Sequence, residues 1–309
     1  MNGYSVRIAK GLSIMKSAKA AVRRSRLIGY GFLLPNIIGF AVFILFPVIA
    51  SFGMSFTEWN GFGEIRFIGL DNYIKLWSDE SFRISFLNSI IMTVVTVPAT
   101  LFLAIVAAVA LNKGIRGIKF FRTALFLPHI TSTIAVAVVW QLLFNPTMGP
   151  INGFLQSIGI DNPPGWFASS QWALISVIIV NIWHSVGYYM ILYLAGLQGI
   201  PADLYEAAEL DGAGAFVRFR KITLPMLSPV IFFTVIIGII NSFKVFDLIY
   251  VLTQGGPGRA TRVLVYDIYY TAFQRYEYGY ASSMAYVLFA LILIITLIQF
   301  RGQKKWVNY

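Results

Sequence analysis

The residues of this sequence that could take part in chemistry lie mostly inside apolar stretches. They fall into two groups: Asn181, Ser185 and Tyr188 in one stretch, and Gly238, Asn241 and Ser242 in another. The first group follows an i, i+4, i+7 spacing, which places its side chains on one face of a helix. Amides and hydroxyls can hydrogen-bond a hydroxylated solute, and a tyrosine ring can stack on a sugar. The pattern therefore indicates binding rather than bond cleavage.

Two interpretations of these polar groups remain open. Polar side chains within hydrocarbon need partners in protein or water. They can hydrogen-bond between neighbouring helices, which is worth about 1 kcal/mol each. Alternatively, the two faces line a polar cavity on a solute path.

Enzymatic chemistry finds little support in the composition. The chain of 309 residues has no Cys and only two His, at positions 129 and 184. A GxxxxGK[ST] phosphate loop and a GxSxG nucleophile motif are both missing from the sequence. We therefore predict no catalytic residue, no metal site and no cofactor bound by this chain itself.

The charge balance alone is ambiguous. A net charge of +11 would suggest a nucleic-acid partner in a soluble protein. However, 58% of the residues are hydrophobic, only 12% are charged, and the mean hydropathy is +0.73. These values indicate a polytopic membrane protein in the lipid bilayer, so the positive charge is interpreted as a topology signal and no nucleic-acid partner is predicted.

Six stretches are long and apolar enough to cross a bilayer as helices. They are residues 28–51, 88–111, 123–144, 171–195, a fifth stretch that follows Pro225 and Pro229 and reaches about Leu252, and residues 281–300. The predicted fold is thus an all-α polytopic membrane protein. Its parts are a basic N-terminal segment 1–27, a six-helix transmembrane domain 28–300 that includes a loop at 196–227, and a tail 301–309.

Orientation follows from the distribution of Lys and Arg. Segment 1–27 carries seven basic residues and no acidic one, and the loop 113–122 carries four and none. Short loops rich in Lys and Arg stay in the cytoplasm. We therefore predict a multi-pass membrane protein with both termini cytoplasmic.

Two charged residues fall inside the fifth predicted span. Lys244 lies 15 residues after Pro229, which is about 22 Å along a helix. Asp247 follows one turn later. These side chains either pair with each other or line a solute path.

The loop between the fourth and fifth spans is cytoplasmic by topology, yet it is not basic. Pro201 and Asp203 predict the start of a short helix that runs from Leu204 to Asp211 and stops at Gly212. A second short helix is expected to follow and to end at Pro225. Composition alone also permits an amphipathic connector lying on the membrane.

The residues of this loop carry a resemblance. Glu206-Ala207-Ala208, three residues, Gly212, nine residues, then Ile222-Thr-Leu224-Pro225 resembles the signature loop of permease subunits in binding-protein-dependent ABC importers. Three other stretches are similar to the carbohydrate-uptake branch of that family: residues 67–73, 121–128 and 252–257. The resemblance covers nearly the whole chain after the basic N-terminal segment.

The resemblance implies a location in the bacterial cell (inner) membrane, a function and a set of partners. It implies a permease that translocates a sugar or oligosaccharide, with a second permease subunit, two cytoplasmic ATPase subunits that bind ATP and Mg²⁺, and an extracellular solute-binding protein. The loop would form a coupling helix on an ATPase, with Glu206, Ala207, Ala208, Gly212, Ile222, Leu224 and Pro225 matching the motif. An ion-coupled secondary transporter is the alternative from another class, although Asp247 is its one intramembrane acid. A membrane enzyme is a further rival without an evident site.

Overall fold

The structure is a computed structural model that describes residues 28–112 and 116–303. The predicted basic segment 1–27 lies outside the described residues, as does all of the predicted tail after Gln303. The described helices are α1 Ile28–Met54, α2 Asp71–Ser78, α3 Glu80–Leu111, α4 Ile118–Ile130, α5 Thr133–Leu143, α6 Pro150–Ser157, α7 Ala173–Gln198, α8 Ala202–Leu210, α9 Ala215–Arg218, α10 Leu224–Phe243, α11 Asp247–Leu252, α12 Leu264–Phe273 and α13 Tyr278–Gln303. A 3₁₀ turn spans Trp166–Ala168, and two short strands, β1 Thr57–Glu58 and β2 Arg66–Phe67, form an antiparallel pair.

The prediction of an all-α polytopic membrane protein is confirmed. Five described helices are long and apolar enough to cross a membrane, and the pair α4 and α5 makes a sixth span if it is counted as one. Within the segment 55–303, α3 packs most extensively on α7, and α4 and α10 each pack against these two helices. Apolar clusters around Met92, Tyr193 and Met284 form the core.

Helix α1 carries no charged residue along its whole length. Its middle widens into a π turn at Ala41–Leu45, where the Phe46 N–H bonds to the Ala41 carbonyl. Pro47 follows directly and has no N–H to donate, so the regular i to i−4 ladder is interrupted at this point.

Helix α3 begins eight residues before the predicted start of the second span. The Asp79 carboxylate caps it by accepting hydrogen bonds from the backbone N–H groups of Ser81 at 2.8 Å and Phe82 at 3.4 Å. Its 32 residues give a length of about 48 Å, whereas the hydrocarbon core is about 30 Å thick. The polar first turns therefore extend beyond the apolar part.

The third predicted span, 123–144, is wrong as a single straight helix. α4 and α5 meet at an angle of 100°, and the chain between them is extended at Thr131 (φ −77°, ψ 145°). Pro128 lacks an N–H for the last turn of α4, and the Thr131 hydroxyl donates to the Leu127 carbonyl at 2.8 Å. The local hydrogen bonds thus end α4, and α5 then packs on α11.

The fifth predicted span also needs correction at both ends. The second short helix does not stop at Pro225, because α9 continues through a π turn, Phe219–Thr223, directly into α10. At the other end α10 stops at Phe243, and Lys244 to Phe246 are not helical before α11 begins. Lys244 and Asp247 therefore flank a break rather than sharing one turn of a continuous helix.

Candidate functional site

A cavity of about 400 Å³ lies among α3, α4, α7, α10 and the break before α11. We call it the central cavity. Its polar lining comes from six parts of the chain: Thr96 and Thr100 on α3, His129 on α4, Thr133 on α5, Asn181, His184, Ser185 and Tyr189 on α7, Asn241 and Ser242 on α10, and Lys244 and Asp247 at the break. Its size is within the range of sites for small organic molecules.

Several buried polar atoms in this cavity have no partner among the described residues. They are the hydroxyl oxygens of Thr96, Thr100 and Ser242, the amide nitrogen of Asn181, Nδ1 of His129 and Nε2 of His184. Asn181 and Ser242 are each only 7% exposed, and the two threonines are less exposed still. A buried polar group without a partner costs about 1–3 kcal/mol. Their convergence on one cavity indicates that a ligand or water completes their hydrogen bonds.

Five of the six residues predicted from the polar pattern lie together in the central cavity. Asn181 and Ser185 form one unit, because the Ser185 hydroxyl donates to the Asn181 side-chain oxygen at 3.2 Å. Gly238 lies close to α3 and α7, because an added Cβ would come within 3.2 Å of Val97 Cγ1 and 3.5 Å of the Tyr189 hydroxyl oxygen. The sixth residue, Tyr188, is not among the lining residues.

Tyr189 takes the place that was expected for Tyr188. The ring of Tyr188 packs on His129, with centroids 4.7 Å apart, and Tyr189 lines the cavity instead. Close approach of α4 and α7 makes this contact possible, since a Cβ at Gly187 would overlap the carbonyl group of Leu125.

Lys244 and Asp247 both line the central cavity, and both side chains are exposed. No ion pair joins them within residues 28–112 and 116–303, so the expected mutual pairing is not found there. The break after Phe243 lets both side chains reach the cavity. One positive and one negative residue leave its formal charge balanced.

The loop that carries the sequence motif has an exposed half. α8 has no buried residue, and Glu206, Ala207 and Gly212 are exposed. Apolar side chains are exposed beside them, with Leu210 at 90% and Phe216 at 73%. An exposed apolar patch of this kind is typical of a surface that another protein covers.

The turn between α8 and α9 is fixed by Gly212. Its φ is +75°, its N–H bonds to the Glu209 carbonyl, and the Ala213 N–H bonds to the Ala208 carbonyl at 2.9 Å. These are the two hydrogen bonds of a Schellman motif, in which the residue with positive φ is usually glycine. The predicted helix stop at Gly212 is confirmed.

The rest of the motif anchors the loop to the helices. Ile222, Leu224 and Pro225 are half-buried where the π turn enters α10, and Ala208 is half-buried on α8. The hydroxyls of Tyr205 and Thr223 are 2.9 Å apart, and Arg218 pairs with Glu209 at 3.0 Å. The loop is therefore connected to α10 without a flexible linker.

A polar network fixes the N-terminal end of α3. Asp267 is 2% exposed and accepts hydrogen bonds from Ser85 at 3.0 Å and Ser81 at 3.3 Å, while Arg262 lies 3.4 Å away. Burial raises the pKa of the Asp267 carboxyl group above its ordinary value, although Arg262 and the serine hydroxyls act in the opposite direction. This network holds the segment before α12 against α3.

The pKa of Asp79 is shifted in the opposite direction from that of Asp267. Burial alone would raise its pKa, but hydrogen bonds from the Tyr280 hydroxyl and from the backbone N–H groups of Ser81 and Phe82 outweigh burial, so the pKa lies below its ordinary value. The Tyr280 hydroxyl donates to Asp79 at 2.7 Å. One carboxylate thus joins α13 to the cap of α3.

The structure combines several apolar spans with a polar cavity among them and an exposed helical loop. This combination is typical of a membrane transport subunit. The chain belongs to the family of binding-protein-dependent transport system inner membrane components, whose sequence profile matches residues 85–305. It is thereby a multi-pass membrane protein of the ABC permease class.

Three comparisons describe its relatives. The chain is 36% identical over 282 residues to the lactose transport system permease protein LacF of Rhizobium radiobacter, covering 90% of this chain and 94% of that one. It is 33% identical over 297 residues to the sn-glycerol-3-phosphate transport system permease protein UgpA of Escherichia coli O157:H7, covering 95% and 99%. It also resembles a chain in the crystal structure of a bacterial alginate ABC transporter in complex with an alginate pentasaccharide-bound periplasmic protein, with 27% identity, a TM-score of 0.82 and coverage of 93% and 96%.

Sequence reasoning missed part of the central cavity. Thr96 and Thr100 share a helix face by their i, i+4 spacing, but single threonines are common in apolar helices and gave little signal. His129 was noted in the sequence without a role. It reaches the cavity because α4 ends directly after it, and this ending was not predicted.

Proposed function

We propose that this chain is the permease subunit of an ABC importer that translocates an uncharged sugar or oligosaccharide. The observation that carries the proposal is the set of unpaired buried polar atoms in the central cavity, on Thr96, Thr100, Asn181 and Ser242. Hydroxyl and amide groups match the many donors and acceptors of a sugar. The balanced charge of Lys244 and Asp247 favours an uncharged solute over an anionic one.

The pathway residues of the proposal are Asn181, Ser185, Gly238, Asn241 and Ser242, with Tyr189 in place of Tyr188. Each lies at the cavity wall on α7 or α10. Solute selection would also depend on an extracellular solute-binding protein that delivers the sugar. A second, similar permease subunit would close the open side of the cavity.

The exposed loop is proposed to dock on a cytoplasmic ATPase. The exposed apolar side chains Leu210 and Phe216 and the acidic side chain of Glu206 support this role. ATP and Mg²⁺ would bind to two separate ATPase subunits. Motion of the ATPase would reach α10 directly, because no flexible linker separates α9 from α10.

Transport assays can test the proposal. The chain is reconstituted in proteoliposomes with the second permease, the ATPase and the binding protein. Uptake is then measured for lactose, maltose, trehalose, an alginate pentasaccharide and sn-glycerol 3-phosphate. We expect ATP-dependent accumulation of a neutral sugar. Selective uptake of sn-glycerol 3-phosphate or the acidic pentasaccharide would contradict the proposed class of solute.

A matched pair of variants tests the cavity itself. Asn181→Ala should raise the sugar concentration for half-maximal uptake by about 5- to 150-fold, because a hydrogen bond to a buried group is worth about 1–3 kcal/mol. Ser176→Ala is the control on the same helix. Ser176 is fully buried, does not line the cavity and donates to the Trp172 carbonyl at 2.8 Å. Equal behaviour of the two variants would defeat the cavity assignment.

A further inference from the structure

A chain of aromatic rings connects the break before α11 with α12, the start of α13 and Trp59. Ring centroids are 5.0 Å apart for Phe246 and Tyr269, 5.4 Å for Tyr269 and Phe273, 6.3 Å for Phe273 and Tyr278, and 5.6 Å for Tyr278 and Trp59. Tyr250 branches from it, 5.4 Å from Phe246 and 5.6 Å from Tyr269. We call these six residues the aromatic ladder.

The two ends of the aromatic ladder lie at two concave sites. Phe246 lines the central cavity. Trp59 lines a second pocket of about 700 Å³, which is formed by the segment 58–75 and the chain before α13. The ladder therefore connects the pocket at the end of the molecule with the central cavity.

The rings of the ladder retain exposed surface. Phe273 is 56% exposed and Tyr250 is 43% exposed, and the other four rings are half-buried. By contrast, the neighbouring Tyr266 is only 6% exposed and belongs to a core cluster. Rings that serve only to pack the core would be covered in the same way as Tyr266.

We propose that the aromatic ladder is a sugar-binding track along which the solute passes from the outer pocket to the central cavity. The inference rests on the proposed function, because it assumes that the solute is a sugar. The C–H face of a pyranose ring can pack on an aromatic face, while a tyrosine hydroxyl can bond the sugar hydroxyls. Successive weak sites permit both entry and release, which conduction requires.

The competing explanation is an aromatic belt in contact with lipid headgroups. Tyr and Trp are enriched at membrane interfaces in many membrane proteins. Labelling of a belt at the headgroups would be insensitive to sugar, whether or not a water-soluble reagent reaches it. A ladder covered by the second permease subunit would be inaccessible to such a reagent.

Cysteine labelling distinguishes these cases, because the natural chain has no Cys. Tyr250→Cys and Phe273→Cys are each placed in the assembled complex and treated with a membrane-impermeant maleimide. Phe289→Cys on α13 is the control, since Phe289 is 60% exposed and forms an aromatic pair with Tyr286 away from the ladder. We expect labelling at positions 250 and 273 and none at 289. The transported sugar of the uptake panel should slow labelling at least threefold.

Transport stoichiometry provides a second measurement. Tyr250→Ala and Phe273→Ala should lower sugar uptake three- to tenfold while ATP hydrolysis stimulated by the binding protein stays within twofold of the wild type. The number of sugar molecules moved per ATP then falls. Tyr250→Phe and Phe273→Tyr keep the ring and should restore most of the uptake that the alanine variants lose, whereas Phe289→Ala, away from the ladder, should remain within twofold in both measurements. A merely structural defect would lower uptake and hydrolysis together.

Each result has a defined meaning. Unreactive cysteines at positions 250 and 273, labelling that the transported sugar does not slow, or normal uptake by both alanine variants would overturn the track. In that case a persisting uptake defect of Asn181→Ala leaves the proposed function intact. If the wild-type complex accumulates no sugar of the panel, the proposed function fails, and the track fails with it.

Discussion

The imidazole ring of His129 stacks on the ring of Tyr188, with an interplanar angle of 27°. This contact joins α4 to α7 beside the central cavity. Adjacent residues on a helix point about 100° apart, so Tyr189 faces the cavity while Tyr188 does not. Two neighbouring tyrosines thus have different environments, and this difference can be measured.

Removal of one hydroxyl from each tyrosine should separate their roles. Tyr189→Phe should raise the sugar concentration for half-maximal uptake about fivefold, because a lost hydrogen bond is worth about 1 kcal/mol. Tyr188→Phe keeps the ring on His129 and should leave uptake unchanged. Uptake kinetics of the two variants in the same reconstituted complex provide the check. A larger effect of Tyr188→Phe than of Tyr189→Phe would show that the wrong face of α7 has been assigned to the cavity.

The Schellman turn gives a prediction for Gly212. Valine at a φ of +75° costs about 1–2 kcal/mol, whereas asparagine tolerates this conformation. Within the described chain nothing lies within 4 Å of an added Cβ at Gly212, so an effect beyond backbone strain would come from a partner. We expect Gly212→Val to insert normally in the membrane but to lose most of the co-purifying ATPase. Gly212→Asn should keep more than half. Equal retention by both would argue against backbone conformation as the cause.

Glu206 provides an independent test of the same surface. It is exposed on α8 and takes part in none of the ion pairs found in the described chain. Charge reversal in Glu206→Lys should weaken ATPase association and hydrolysis stimulated by the loaded binding protein by at least threefold. Asp203→Lys, a reversal in the first turn of the same helix, is the control for general loss of charge. Normal hydrolysis in Glu206→Lys would favour the membrane-lying connector.

The cap of α3 makes stability depend on pH. Because the pKa of Asp79 is lowered in the folded protein, its contribution is present above the ordinary pKa of about 3.9 and is lost as the pH falls through the folded value. Asp79→Ala should therefore reduce the free energy of unfolding by about 1–2 kcal/mol at pH 7. The difference from the wild type should shrink towards pH 3. Thermal unfolding of the detergent-solubilised chain over this range measures it, and a difference independent of pH would contradict the assignment.

Topology is open to direct measurement. Reporter fusions at Asn72, Asn162 and Arg262 should lie outside the cell, and fusions at Lys113 and Gly214 should lie inside. The distribution of Lys and Arg is the reason for this orientation. An external signal from the fusion at Lys113 or Gly214 would contradict the predicted orientation.

The sequence was most informative where local chemistry determines the outcome. Apolar length predicted four of the spans within a few residues of their apolar parts, because the bilayer sets the length of a helix. Gly212 marked the end of α8, since its positive φ is a local requirement. The sequence pointed to Asn181, Ser185 and Asn241 because polar side chains are costly in hydrocarbon and need hydrogen-bond partners.

Tertiary packing explains the errors. The choice between Tyr188 and Tyr189 depends on how far α7 is rotated against α4, and the spacing of α7 alone does not define that rotation. The break at Lys244 depends on the packing of α11 against α5. Asp79 lengthens α3 beyond its apolar part through capping, which a hydropathy pattern does not measure.

The bend between α4 and α5 affects how this protein can evolve. His129 and Thr133 stand on either side of the bend, and both line the central cavity. Non-helical backbone at membrane depth is tolerated where it borders protein or water, so the cavity and the bend depend on each other. A substitution that straightened the chain, such as Pro128→Ala, would move two walls of the cavity at once. Side chains on α7 and α10 can vary without a change in the path of the backbone. Inherited changes in solute preference are therefore expected to accumulate on these two helices.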